Sequence, residues 1–201
     1  MQKFASRNRS GFTLIEVLIA LTIISVTFIG VSGLISSNLR SNQLNQALIT
    51  ANYLNQEALE VSRHLRDSGW LNNFAFNANT AELWGESLYP PTGKAVYKIE
   101  ERPNFTGSQK YSLIATRPGY KENRLYRVVR NDVTYYTHEN SDNPTNFARY
   151  ITVEPFSDPA VSKYENLDPL KVTATTVIDL NGRKREVNYY VILTDWKQGP
   201  L

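Results

Sequence analysis

One stretch dominates what this chain can become. From Phe12 to Leu39 an apolar run carries a single charged residue, Glu16. Phe12 to Ile35 alone is 24 residues, and at about 1.5 Å per residue a helix of that length crosses a hydrocarbon core of roughly 30 Å. A carboxylate inside such a helix is costly unless a partner neutralises it, so a residue of this kind is as a rule functional. Ahead of the run lies a short basic leader, with Lys3, Arg7 and Arg9 and no acid before Gly11. Positive charge at that end favours keeping the leader in the cytoplasm.

Two ordinary readings compete for this segment. A secretory signal peptide has an apolar core of about 7–15 residues that ends at small residues. Val31-Ser32-Gly33 imitates such an end, but the run is too long and Glu16 sits badly within it. A plain single-pass anchor accounts for the length and leaves both Glu16 and the Gly11-Phe12 pair unexplained.

Gly11-Phe12-Thr13-Leu14-Ile15-Glu16, with the basic leader before it and apolar residues after it, resembles the leader-peptide and methylation motif of type IV pilins and pseudopilins. The resemblance covers roughly the first third of the chain. It implies that a membrane prepilin peptidase and methyltransferase cuts after Gly11 and methylates the new first residue, Phe12. It also implies that Glu16 guides docking into a filament. After such a cut Glu16 is the fifth residue, one helical turn from the new amine, and is placed to pair with its own amine or a neighbour's. The implied protein is a minor pilin or pseudopilin, single-pass in the cytoplasmic membrane before assembly and part of a cell-surface or extracytoplasmic filament afterwards. Its implied partners are other pilin subunits, met through the N-terminal helix, and the assembly machinery of a pilus or type II secretion system. Motility, adhesion, secretion and DNA uptake stay open. So does an alternative, a filament-borne binding module acting as adhesin or competence DNA-uptake subunit.

Beyond the apolar run the helical period continues. Leu44, Ala47, Leu48, Ala51, Leu54, Ala58, Val61 and Leu65 recur at three- and four-residue spacing, with Asn45, Gln46, Asn52, Gln56, Glu60 and Arg63 between them. That pattern predicts one stripe packed on a domain and one wet face. Ser41 and Asn42 are weak breakers, and Gly69 after Arg66-Asp67-Ser68 is the expected stop. Many major pilins carry a proline in the membrane half; this chain has none before Pro90. Gly30 and Gly33 would permit local unwinding or, equally, close helix packing.

From Trp70 to about Pro91 the period is lost, as in a connecting loop. Strand-like runs rich in Val, Ile, Thr and Tyr follow at 95–101, 111–117, 125–130, 133–138, 150–154, 170–180 and 186–194. Asn181-Gly182 is a strong type I′ hairpin signal that pairs the last two antiparallel. The expected fold is α+β: a long N-terminal α-helix, membrane half then amphipathic half, packed on a C-terminal antiparallel β-sheet. The expected organisation is a removable leader 1–11, a stalk helix 12–67 with its transmembrane segment at about 12–35, and a globular β domain 68–201.

Composition narrows the chemistry. The chain has no cysteine, which excludes disulfides, thiol catalysis and zinc–cysteine sites. Its net charge of +3 resides in the leader: taking three cations from 22 leaves 19 basic against 19 acidic residues. A neutral mature chain gives no general electrostatic grip on nucleic acid. Basic residues at 121–130 and at Arg183-Lys184-Arg185, with Tyr120 and Tyr126 near the first, leave a local DNA contact possible but unsupported. By strand parity Arg124, Tyr126, Val128 and Arg130 share one face, which reads more simply as a strand with a wet side and a buried side. His64 and His138 lie in no metal or nucleophile motif, so no catalytic residue, cofactor or metal site is expected. Asp158, Glu165 and Asp168 could offer oxygen ligands to calcium, but Asp, Asn and Pro there are ordinary turn residues.

Overall fold

The apolar run and the amphipathic stretch form a single helix, α1, over Leu14–Leu71. The structure is a computed structural model that describes residues 11, 13–71, 88, 93–102, 110–130, 132–157 and 169–194. Seven strands follow the helix: β1 (Ala95–Glu101), β2 (Tyr111–Ala115), β3 (Arg124–Arg130), β4 (Val133–Thr137), β5 (Pro144–Pro155), β6 (Leu170–Leu180) and β7 (Arg183–Leu193). All strand pairs among the described residues are antiparallel, so the chain is α+β with one long N-terminal helix and a C-terminal antiparallel sheet. The chain divides into two compact units, Met1–Asn45 and Gln46–Leu201.

In the first unit the helix buries nothing: the large apolar side chains from Leu14 to Leu39 are exposed. An 18-residue window of this helix has a mean hydropathy of 2.5, long and apolar enough to cross a membrane. Its hydroxyls are satisfied within the helix. Thr22 Oγ1 donates to the Leu18 carbonyl at 2.7 Å, Ser25 Oγ to that of Leu21 at 2.7 Å, and Thr27 Oγ1 to that of Ile23. Such back-bonding removes the cost of a polar group in lipid. Gly30 and Gly33 do not interrupt the helix.

In the second unit the stripe of α1 lies on the sheet. Ala58, Leu59, Val61 and Leu65 pack with Ile99, Leu113, Ile151, Val153, Leu170, Val172 and Leu193 in the larger core, and Ala47 and Ala51 with Ile178 in a smaller one. Each large aliphatic side chain buried this way contributes about 1.5–3 kcal/mol. Small residues at 47, 51 and 58 let the helix backbone approach the sheet. Two polar anchors cross the same interface. Asn55, fully buried, donates from Nδ2 to the Val187 carbonyl at 2.8 Å and accepts from Thr176 Oγ1 at 2.7 Å. Arg149, also buried, gives Nη1 to the Leu54 carbonyl at 3.2 Å and to Glu57 Oε2 at 2.8 Å. The helix passes Gly69, the expected stop, and ends at Leu71. Ser68 and Trp70 are buried, and Arg66 lies 4.6 Å over the Trp70 ring, so tertiary contact outweighs the glycine's low helix propensity.

β5 is the hub of the sheet. One edge pairs with β6 from Phe147 to Pro155, and β6 pairs in turn with β7 from Leu170↔Leu193 to Leu180↔Arg183. Asn181 and Gly182 have φ of 55° and 81°, the two left-handed residues of a type I′ turn, and Gly182 N–H donates to Asp179 Oδ1 at 2.9 Å. The other edge of β5 forks. β1, carrying β2, pairs with Ile151–Val153; β3, carrying β4, pairs at Pro144 and Ala148. β5 and β7 are longer than the runs 150–154 and 186–194, while β2 and β4 end before Arg117 and His138. Polar residues such as Arg149, Lys184 and Arg185 disguise the extensions, because ladder pairing rather than apolar alternation holds them. The parity expectation for Arg124–Arg130 holds only at its start. Leu125 is fully buried and Val129 is 61% exposed, since the sheet runs out at the edge strand β4.

Candidate processing and assembly site

The helix opens with a cap. Thr13 precedes α1; its carbonyl accepts from the N–H of Glu16 at 3.1 Å and of Val17 at 3.2 Å, and its hydroxyl lies 3.4 Å from the Glu16 N–H. Thr13-Leu-Ile-Glu16 has the S/T-x-x-E spacing of a capping box, with Glu16 in the first turn. A carboxylate there faces the positive end of the helix dipole, a favourable place for negative charge. Thr13 thus has a role of its own within the motif, as the helix cap, and that spacing is its signal in the sequence.

Glu16 is exposed, and among the described residues its carboxylate makes no ion pair. Gly11 is exposed in non-helical backbone, and a Cβ added there would meet nothing within 4 Å. Phe12 and the leader charges lie outside the described residues. The arrangement thus puts an accessible small residue two positions before a capped helix and an unpaired carboxylate one turn into it.

The remaining candidates fall elsewhere. His64 is exposed on α1, with its ring edge-on to Tyr111 at 5.9 Å. His138 is buried and neither ring nitrogen makes a hydrogen bond. Burial, then the positive charges of Arg149 and Lys98, push its pKa down to about 3, against a weaker pull from the Arg124 backbone. Asp158, Glu165 and Asp168 lie outside the described residues, and no group of three metal-ligating side chains occurs among the described ones.

The structure brings the two basic clusters together. Arg124 from the first and Lys184 from the second lie 5.7 Å and 5.4 Å from the Tyr120 ring centre. Tyr120 and Arg124 both donate to the Thr145 carbonyl, at 2.9 and 3.0 Å, and the tyrosine packs on a small core of Ala148, Tyr150 and Val177. Burial is the main cause that raises the Tyr120 pKa. Both cations thus lie against the Tyr120 ring, which packs on that small core.

Residues 6–32 match the model of the prokaryotic N-terminal methylation motif, a span that includes Gly11, Phe12, Thr13 and Glu16. No curated protein and no solved structure matches the chain significantly.

Proposed function

We propose that this chain, a type IV pilin-like protein by its prepilin methylation motif and its helix-plus-sheet layout, is a minor subunit of a type IV pilus or related pseudopilus. The family of that motif is structural rather than enzymatic. One observation carries the reading: the matched segment 6–32 ends a basic leader at Gly11-Phe12 and opens a capped, membrane-length helix in which Glu16 has no ion-pair partner among the described residues. In this reading the precursor sits in the cytoplasmic membrane, is cut after Gly11, and gains a methylated amine on Phe12. The Glu16 carboxylate then neutralises a neighbouring subunit's amine inside the filament, where low dielectric strengthens the attraction and makes an unmatched charge costly. The assembly machinery supplies the work, and α1 supplies the packing surface. The minor role rests on the large domain and its aromatic-rich sheet, which packs on the second half of α1 through two cores.

Intact-mass and N-terminal analysis of membrane-extracted protein tests this. The expected mature chain starts at a methylated Phe12. An intact Met1 start in cells with active prepilin peptidase, or a start near Leu34, overturns it. A bulky residue at 11 should block the cut, whereas Gly11→Ala should be largely tolerated.

A further inference from the structure

The fork in the sheet leaves a cleft of about 600 Å³, within the range of small-ligand sites, bordered by α1, the β1–β2 hairpin and the β3–β4 hairpin. Arg149 forms part of its lining from β5, at the point where β1 and β3 diverge. Its Nη1 is committed to α1, and its Nε is closed in beneath the surface without an acceptor. A ligand oxygen entering there with a small side-chain shift gains a hydrogen bond that the domain itself does not supply.

The lining chemistry narrows the ligand. Its three cations each have a carboxylate of their own: Arg149 with Glu57 at 2.8 Å, Lys110 with Glu101 at 3.2 Å, and Arg130 with Glu139 at 3.5 Å. The lining is therefore charge-balanced, and an anion finds no surplus field to bind it. Among the described residues no metal-ligating cluster exists, which removes a cation. Strand addition to β5 within the fork is blocked as well. Between the β3 partner Ala148 and the β1 partner Ile151 only Arg149 and Tyr150 lack a ladder mate on that edge of β5, and Arg149 N–H already donates to the Asn123 carbonyl.

What remains is a neutral ligand that needs donors and acceptors side by side with an aromatic face. Each ion pair offers a donor beside an acceptor, the arrangement that neighbouring ring hydroxyls require. Of the lining tyrosines, Tyr111 is engaged with His64 and Tyr136 with Phe147, while Tyr135 is 42% exposed. We propose that this cleft binds a neutral pyranose, a hexose unit of a glycan, with Tyr135 as the ring platform and the ion pairs as hydroxyl partners. The site belongs to the unit Gln46–Leu201 and does not depend on cleavage at Gly11, so either reading can fail alone.

Saturation-transfer NMR tests it on the full chain in a detergent without a sugar headgroup, using the methyl glycosides of glucose, galactose, mannose and N-acetylglucosamine at millimolar concentration. At least one glycoside should receive saturation on its ring protons. Tyr135→Ala should weaken that binding at least fivefold and Tyr135→Phe should retain it. Glu139→Gln, at an exposed carboxylate that risks no folding defect, should weaken it at least threefold. Tyr190→Ala, at a tyrosine 64% exposed on β7, should leave it unchanged. Transfer to none of the four, an equal loss with Tyr190→Ala, or tighter binding of an acidic tripeptide than of every sugar overturns the proposal.

Discussion

Replacing His138 by leucine should make the sheet domain more resistant to acid. The native ring is 8% exposed, makes no hydrogen bond through either nitrogen, and is held neutral down to about pH 3 by burial and by Arg149 and Lys98. In the unfolded chain the same ring takes a proton near pH 6.5. Below that pH the unfolded state binds a proton that the folded state refuses, so stability falls as pH drops from about 6.5 and the loss levels off near 3. At about 1.4 kcal/mol per pH unit the whole gap amounts to about 5 kcal/mol, of which about 2 kcal/mol is lost between pH 7 and pH 5. Leucine does not titrate and leaves no unpaired nitrogen. Urea unfolding of both proteins, followed by tryptophan fluorescence at pH 7, 6 and 5, gives the comparison. The wild type should lose about 2 kcal/mol more than the variant across that range, a midpoint difference of roughly 1 M. Parallel pH profiles, or a His138 ring that titrates near 6.5 in the folded protein, would refute the reasoning.

Asn55→Leu should destabilise the domain by about 1–3 kcal/mol, because the Val187 carbonyl and the Thr176 hydroxyl lose their partner in a dry interface; adding Thr176→Val should recover part of the loss in denaturant melts. Glu16→Leu should leave membrane insertion and cleavage intact while filament incorporation falls sharply, read by probing sheared filaments, and normal incorporation would remove Glu16 from the docking role. A fragment starting at Gln46 should melt cooperatively by circular dichroism. One starting at residue 72 lacks Ala47, Leu54, Val61 and Leu65, exposes the sheet face they cover and should not; equal stability of the two would refute the packing.

The helix was readable because its signals are local. Glycine, phenylalanine and glutamate at fixed spacing, and apolar residues every third or fourth position, depend on nothing distant. The stripe from Ala47 to Leu65 is the buried one in the structure. Asn181-Gly182 announced its turn for the same reason. Asn55 and Arg149 were not readable: each is polar by type, and only partners 121 residues away at Thr176 or 92 away at Glu57 make burial affordable. The fork at β5 is equally invisible, since a run such as Pro144–Pro155 does not say that two different strands share its edge. Tyr120 stands between the two basic clusters; Arg124 and Lys184 lie against its ring and Arg124 also donates to the Thr145 carbonyl, a long-range arrangement that clusters in sequence only suggest.

The inward-turned hydroxyls of Thr22, Ser25 and Thr27 have a consequence for neighbouring helices. With each bonded to its own backbone, the surface from Leu14 to Val31 offers an adjacent helix only dispersion contacts, which vary little as one helix slides along the other. Such a surface is lubricated. Glu16 is the exception, the one side chain on that length whose polar demand is unmet among the described residues; under the proposed assembly it would act as a detent, a subunit riding past its neighbours until that carboxylate meets a positive charge and stopping there.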